Sequence, residues 1–245
     1  VLGRALALTR HVRFRLWARA TDARLRRLGG RFILDAPHTP RYLGLPRVEI
    51  DEGGGTLTLR IGRDCKLGRD VVLDLAARQD GVIELGDRVT LQNNVRLQPW
   101  GGAIRLRDGA QVRDSCELKS RGELVVGERA ILGRHVTLHA NERIELHTCV
   151  GLAERVTVMD SDHGFDGTDT FFMDQPVRTD PVVIEHNVFL ATNVVVLRGS
   201  TVGRNAVAAA GAVLTGGEYP PGWLVGGIPA RPLKPLGAQL QAPAG

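Results

Sequence analysis

The chain has 245 residues, 43% of them hydrophobic and only 4% aromatic, with 30 Gly and a formal net charge of +5. It is long enough for one sizeable core but poor in the rings that globular cores favour. No run of about 18 apolar residues exists to cross a bilayer as a helix, and three Cys make an odd set that suits a reducing, cytoplasmic compartment better than a disulfide framework.

Residues 1–31 carry nine Arg against one Asp, so the rest of the chain is net negative. The stretch Arg10-His-Val-Arg-Phe-Arg-Leu-Trp-Ala-Arg reads as a partly amphipathic helix with Val12, Leu16 and Ala20 along one stripe. It lacks the apolar centre and small-residue cleavage site of a secretion signal. Two readings stay open. The helix lies peripherally on the anionic inner membrane face, or it packs on the remainder of the chain with its arginines solvated. Nucleic acid is disfavoured, because the basic residues are confined to one leader and no recognition motif accompanies them. This helical segment is assigned residues 1–46.

From Ile61 to Val213 one six-residue phrase returns: an aliphatic residue, often Gly, two polar residues, a small or β-branched residue, then any residue. It is plain in Leu67-Gly-Arg-Asp-Val-Val, Leu85-Gly-Asp-Arg-Val-Thr, Val126-Gly-Glu-Arg-Ala-Ile and Val202-Gly-Arg-Asn-Ala-Val. A period of six fits neither a helix nor an alternating strand, so each phrase is a short strand plus a corner. Three phrases make one triangular coil. The aliphatic and small positions then point inward, Cys65 and Cys116 among them as reduced core residues, and stacked coils share one core. Pairs such as Arg63-Asp64, Asp87-Arg88 and Arg204-Asn205 fall on the corners.

Leu85, Leu106, Val126 and Leu146 are spaced by 21, 20 and 20 residues, whereas three phrases need 18, so one corner is enlarged in each coil. Trp100, Lys119, Arg121, Asn141 and Arg143 project from it and are candidates to line a polar acceptor, Trp100 by stacking; for the charged residues, plain solvation is an equal reading. Between Leu146 and Ile184 the phrase breaks, and the excess is a loop at about residues 164–181; Ile184, Leu190, Val196, Val202 and Ala208 then resume the interval of six. Long irregular loops on a rigid scaffold are usually functional. The solenoid is assigned residues 47–218, and a Pro-rich cap and fraying tail residues 219–245.

The run Val158-Met-Asp-Ser-Asp-His163, the projecting loop, Pro181-Val-Val-Ile-Glu-His-Asn-Val-Phe-Leu-Ala-Thr-Asn, the Val202 run and Gly226-Gly-Ile-Pro-Ala-Arg resemble the hexapeptide-repeat acyltransferases, most closely the sugar O-acetyltransferases of the maltose, galactoside and surface-polysaccharide branches. The resemblance covers residues 55–235. It implies a left-handed parallel β-helix, against the usual right-handed crossover. It also implies a homotrimer with sites between subunits, acetyl-CoA as acyl donor and no metal.

By motif the catalytic base falls on His163, with Asp160 or Asp162 as the group that fixes its tautomer. An imidazole titrates near neutrality and can take a hydroxyl proton as the oxygen attacks a thioester, with no covalent acyl-enzyme. His135, His139, His147 and His186 stand at outward positions and read as surface residues, and Cys149 has no paired base. The resemblance places CoA near Ala191, Thr192, Ala210 and Thr215, with Arg231 and Lys234 toward its phosphates. Thr215-Gly216 departs from the family's Thr-Lys pair, and Phe189 replaces a frequent Trp. Rival readings are a sugar-nucleotide N-acyltransferase, a metal hydrase of the γ-carbonic anhydrase kind and a non-catalytic scaffold.

Overall fold

In the computed structural model, which describes residues 2–50, 53–76 and 78–237, the repeat folds as short parallel strands joined by tight corners. Three long sheets of nine, ten and eight strands form the sides of a prism, and neighbours in each sheet come from successive coils. This is a left-handed parallel β-helix of about nine turns: the six-residue period predicts the stacked coils, and the resemblance implies their hand.

The inward columns are those read from the sequence. Ile61, Leu85, Leu106, Val126, Leu146 and Ile184 stand in register along the first side, each at most 4% exposed. The small column holds buried Cys65, Val89, Ala110, Ala130 and Val150. Each fully buried Leu, Ile or Val contributes about 1.5–3 kcal/mol. The second residue of the corner pairs takes a left-handed conformation, with φ of 55° at Asp64, 58° at Arg88 and 59° at Asn205. Corner side chains then accept backbone N–H groups from the coil below, as Asp87 Oδ1 does from Arg63 N and Asp114 Oδ1 from Asn93 N.

Coiling starts earlier than the Arg47 expected. Gly30–Asp35, Arg41–Tyr42 and Arg47–Ile50 already head the three sheets. This first coil escapes the repeat pattern because it buries Phe32 and half-buries Tyr42 where later coils use aliphatic residues.

The helix α1 (Leu2–Arg27) lies across that open end. Phe14, Ala18, Thr21 and Leu25 form its buried face, and Phe14 stacks on Trp17 and on Tyr42 with centroids 5.2 and 5.9 Å apart. Asp22 Oδ1 accepts from Phe32 N at 3.0 Å, the Tyr42 hydroxyl donates to the Arg10 carbonyl at 3.0 Å, and Arg24 donates to the Val48 carbonyl. One contact thus reaches the first strand of each sheet. The packed reading of the helix is the one observed, but the stripe is not the expected one: Val12 and Leu16 point outward, 46% and 57% exposed, and Ala20 is exposed beside them.

At the other end Ala230–Pro235 folds back antiparallel on Trp223–Gly227, with Pro232 and Pro235 in its edge. Each proline there removes one donor and so weakens the edge as a template for further strands. Val1 and the last part of the expected tail, residues 238–245, lie outside the described residues. Between the coils, Ser161–His163 and Val177–Thr179 pair as an antiparallel ribbon, with a single 3-10 turn at Phe172–Asp174 beyond it. This arm is the loop expected at residues 164–181, rooted three residues earlier.

Candidate active site

The enlarged corner joins the third side of the prism to the first. Pro99, Ser120 and Ala140 stand in register just before it, so Trp100, Arg121 and Asn141 stack in a column. Asp160 continues the inner column and is fully buried. Its carboxylate accepts from the backbone N–H groups of Asn141, Glu142 and Arg143 at 2.7, 2.8 and 2.7 Å. Asp162 turns to the opposite face, as strand alternation requires, and accepts from Arg198 Nε at 2.7 Å. Neither carboxylate bonds His163. The expectation that one of them fixes its tautomer is therefore corrected: Asp160 folds the corner, and Asp162 ties the arm to the next coil.

His163 ends the outgoing strand of the ribbon, opposite Val177. Its ring meets Phe172 edge-on, with centroids 5.4 Å apart and an interplanar angle of 87°. Nδ1 is buried without a hydrogen-bond partner among the described residues, whereas Nε2 makes no hydrogen bond to them and is the accessible nitrogen. Asn141 Nδ2 donates to Ser161 Oγ at 2.8 Å and binds the corner to the root of the arm, while its own Oδ1 is buried without a partner.

Trp100 carries a cation over its ring. Lys119 Nζ sits 4.2 Å from the ring centroid, and the Arg121 guanidinium is 6.0 Å away. Burial, with Arg121 second, holds the Lys119 ammonium below the usual lysine range. Neither cation forms an ion pair among the described residues. Arg143 leaves the corner, because it belongs to the strand Arg143–Leu146 of the first side and donates to Glu145 there at 2.6 Å. His139 is not the surface residue expected: it is half-buried between Lys119 and Met159, its Nε2 is buried without a partner, and burial, then Lys119, pushes its pKa down. Gln98, in register with Lys119, has a buried Oε1 without a partner. Sequence reasoning missed Gln98 and His139, although their 21- and 20-residue offsets from Lys119 already put all three in one outward column.

The donor candidates divide between two edges. Ala191 and Thr192 occupy the corner between the second and third sides, Thr192 Oγ1 donating to the Glu154 carbonyl at 2.8 Å, and exposed Ala210 is on the same corner one coil on. Thr215 stands on the His163 corner, its N–H donating to the Tyr219 hydroxyl at 3.0 Å. Arg231 and Lys234 are exposed on the terminal antiparallel strand. The edge of Ala191 and Ala210 and the edge of His163 bound opposite ends of the third side, so a single chain does not bring them together. Among the described residues, no three His, Cys, Asp or Glu side chains gather as metal ligands. Burial pushes the Cys65 and Cys116 thiols up to about 11, and Cys149 sits in a corner with φ of 62°.

Residues 58–99 and 181–216 match the family model described as the hexapeptide repeat of succinyl-transferase. An Escherichia coli K12 protein, WbbJ, named for lipopolysaccharide biosynthesis O-acetyl transfer, is 27% identical over 188 residues, which is 73% of this chain and 83% of that protein. A Mycobacterium tuberculosis protein, Rv3034c, named as an acetyltransferase, is 32% identical over 113 residues, 46% of this chain and 37% of its own length. Among solved structures, a mutant of the Bacillus cereus N-acyltransferase AntD, in complex with dTDP and coenzyme A, aligns with a TM-score of 0.51 at 16% identity, over 60% of this chain and 80% of that one; it supports the fold. The chain thus carries two runs of the repeat that this family model describes, and it is similar to proteins named as acetyl- or acyltransferases. The E. coli relative, matched over most of its length, carries an O-acetyl transferase name.

Proposed function

We propose that the protein moves an acetyl or other short acyl group from acyl-CoA to a hydroxyl of a sugar, glycan or glycolipid precursor, with His163 as general base and no covalent acyl-enzyme. The observation that carries this reading is the setting of His163 at the root of the arm, its ring wedged on Phe172 and only Nε2 open to a substrate. When bound, the thioester supplies an already activated acyl carbon. The chain's task is one proton: His163 Nε2 takes it from the hydroxyl as the oxygen–carbon bond forms, and returns it to the sulfur as the carbon–sulfur bond breaks.

Acetyl-CoA fits the small residues Ala191 and Ala210, which leave backbone open to an extended pantetheine, and Arg231 and Lys234 offer cations to its phosphates. Because that edge and His163 lie on different corners, the working unit is a homotrimer in which the arm of one subunit meets the donor edge of the next. The arm supports this, since it exposes Phe165, Phe171, Phe172 and Met173 by 72%, 59%, 42% and 55%, an apolar surface suited to cover by a second copy. Toward the acceptor, Asn141 and the unneutralised Lys119 and Arg121 favour a polar glycan that carries negative charge.

The test is release of free CoA with panels of neutral, acidic and amino sugars. His163→Asn lowers kcat about 10²- to 10⁴-fold while CoA binding, followed by calorimetry, persists. Full activity of that variant overturns the mechanism, and release with amino sugars alone transfers the reading to N-acylation.

A further inference from the structure

The face of α1 that does not pack on the first coil has a chemistry of its own. Leu8, Val12 and Leu16 follow at four-residue intervals and are 66%, 46% and 57% exposed, with exposed Ala20 and Ala23 prolonging the line. At about 100° per residue this stripe is opposite the buried face of Phe14, Ala18, Thr21 and Leu25. Exposed Arg13, Arg19 and Arg27 border it and form no hydrogen bond or ion pair among the described residues. At the same end of the prism, Arg10, Arg41 and Lys66 line a cleft of about 630 Å³ beside Leu43, which is 70% exposed. Those three cations also have no ion-pair partner among the described residues.

A row of exposed aliphatic side chains within a field of unneutralised arginines matches a surface that is negative outside and apolar just beneath. Nucleic acid supplies the charge without the apolar layer. An anionic lipid bilayer supplies both. Because α1 caps the first coil, its outward stripe faces along the axis of the prism, away from the catalytic coils. We propose that α1 docks the protein on anionic membrane surfaces, lying flat with Leu8, Val12 and Leu16 inserted at the level where headgroups meet acyl chains. If the subunits assemble as the parallel trimer proposed above, and only for this step does the inference rest on that reading, three such helices face one way and engage together. His163 then stands five coil steps from the first coil, roughly 24 Å at about 4.8 Å per step, with the ~10 Å width of α1 between that coil and the lipid, so a lipid-borne acceptor has to reach it through a chain of several sugars.

The experiment is co-sedimentation of the full chain with vesicles of phosphatidylcholine alone and of equal parts phosphatidylcholine and phosphatidylglycerol. The expected result is binding to the mixed vesicles only, weakened about tenfold or more by the combined Leu8→Ser, Val12→Ser and Leu16→Ser changes, all of which are outward-facing and leave the cap intact. His163→Asn is expected to bind like the parent, which separates failure of docking from failure of the transferase reading. Absence of binding to the mixed vesicles overturns the proposal. So does equal binding of the triple variant, which shows polyanion affinity alone, or a fall in its sedimentation mass without lipid, which shows that the stripe covers a second copy.

Discussion

The three edges of the prism do not treat their polar groups alike. On the two tight edges, corner side chains and backbone satisfy one another from coil to coil: Asp108 accepts from Asp87 N, Asn93 donates to Asp114, and Asn187 donates to Asn205. On the third side and the enlarged corner after it, Gln79, Gln98, Trp100, Ser120, His139, Asn141 and His163 each keep one buried side-chain atom without a partner, and these are all such atoms among the described residues. Buried polar groups are ordinarily paired. A scaffold edge that closes its own hydrogen bonds resists change, whereas an edge that leaves them open is shaped by what binds it.

That contrast can be tested by substitutions on the two kinds of edge, and the largest effect belongs to Asp160. Asp160→Ala strands three backbone N–H groups in a buried corner, so a loss of about 3–5 kcal/mol is expected in urea unfolding. Asp87→Ala on a tight, solvated edge also removes a carboxylate that accepts backbone N–H and pairs with Arg63, yet water replaces those bonds, and the expected loss is far smaller than that of Asp160→Ala. Equal losses would dissolve the distinction between the edges.

Ser120→Ala should have the reverse sign. Its hydroxyl is fully buried without a partner, and the register-matched residue one coil on is already Ala140. Removing the hydroxyl is expected to stabilise by up to about 1 kcal/mol, read as a raised urea midpoint; a destabilisation of that size would mean the group has a partner.

The smallest effect is a pH slope. Burial keeps His139 below the ordinary imidazole range, so the folded state holds fewer protons than the unfolded one just below about pH 6.5. The stability it contributes is complete above that pH and is lost as pH falls toward the folded value. His139→Gln is expected to flatten this slope in urea midpoints measured across the acid range, and an unchanged slope refutes the assignment.

The core was legible because a six-residue period repeats its own evidence: Ile61 to Val213 carry the same inward positions in coil after coil, and the 21- and 20-residue spacings located the enlarged corner before any coordinate. His163 was legible as the last residue before the loop. The roles of Asp160 and Asp162 were not, because which backbone groups a carboxylate meets depends on the coil below it, about 20 residues away in sequence. Arg143 was misplaced by a single residue, since the side chain after the corner belongs to the next side. The face of α1 was misread because the helix carries two opposed apolar stripes, and the packing partner of the correct one, the aromatic first coil, lies ahead of any recognisable phrase.

The arm leaves the stack as though it had been spliced in. Asp180 N donates to the Asp160 carbonyl at 2.9 Å, and Leu146 pairs directly with Ile184, so the ladder closes beneath residues 161–179 without a step. An insert whose two ends already touch can be exchanged for another of different length and shape while the coils above and below keep their register. The segment from Gly164 to Pro176, whose own ends meet through the Gly164 N–H and the Pro176 carbonyl at 2.8 Å, can thereby vary without disturbing the prism that carries it, while His163 at its root stays in place.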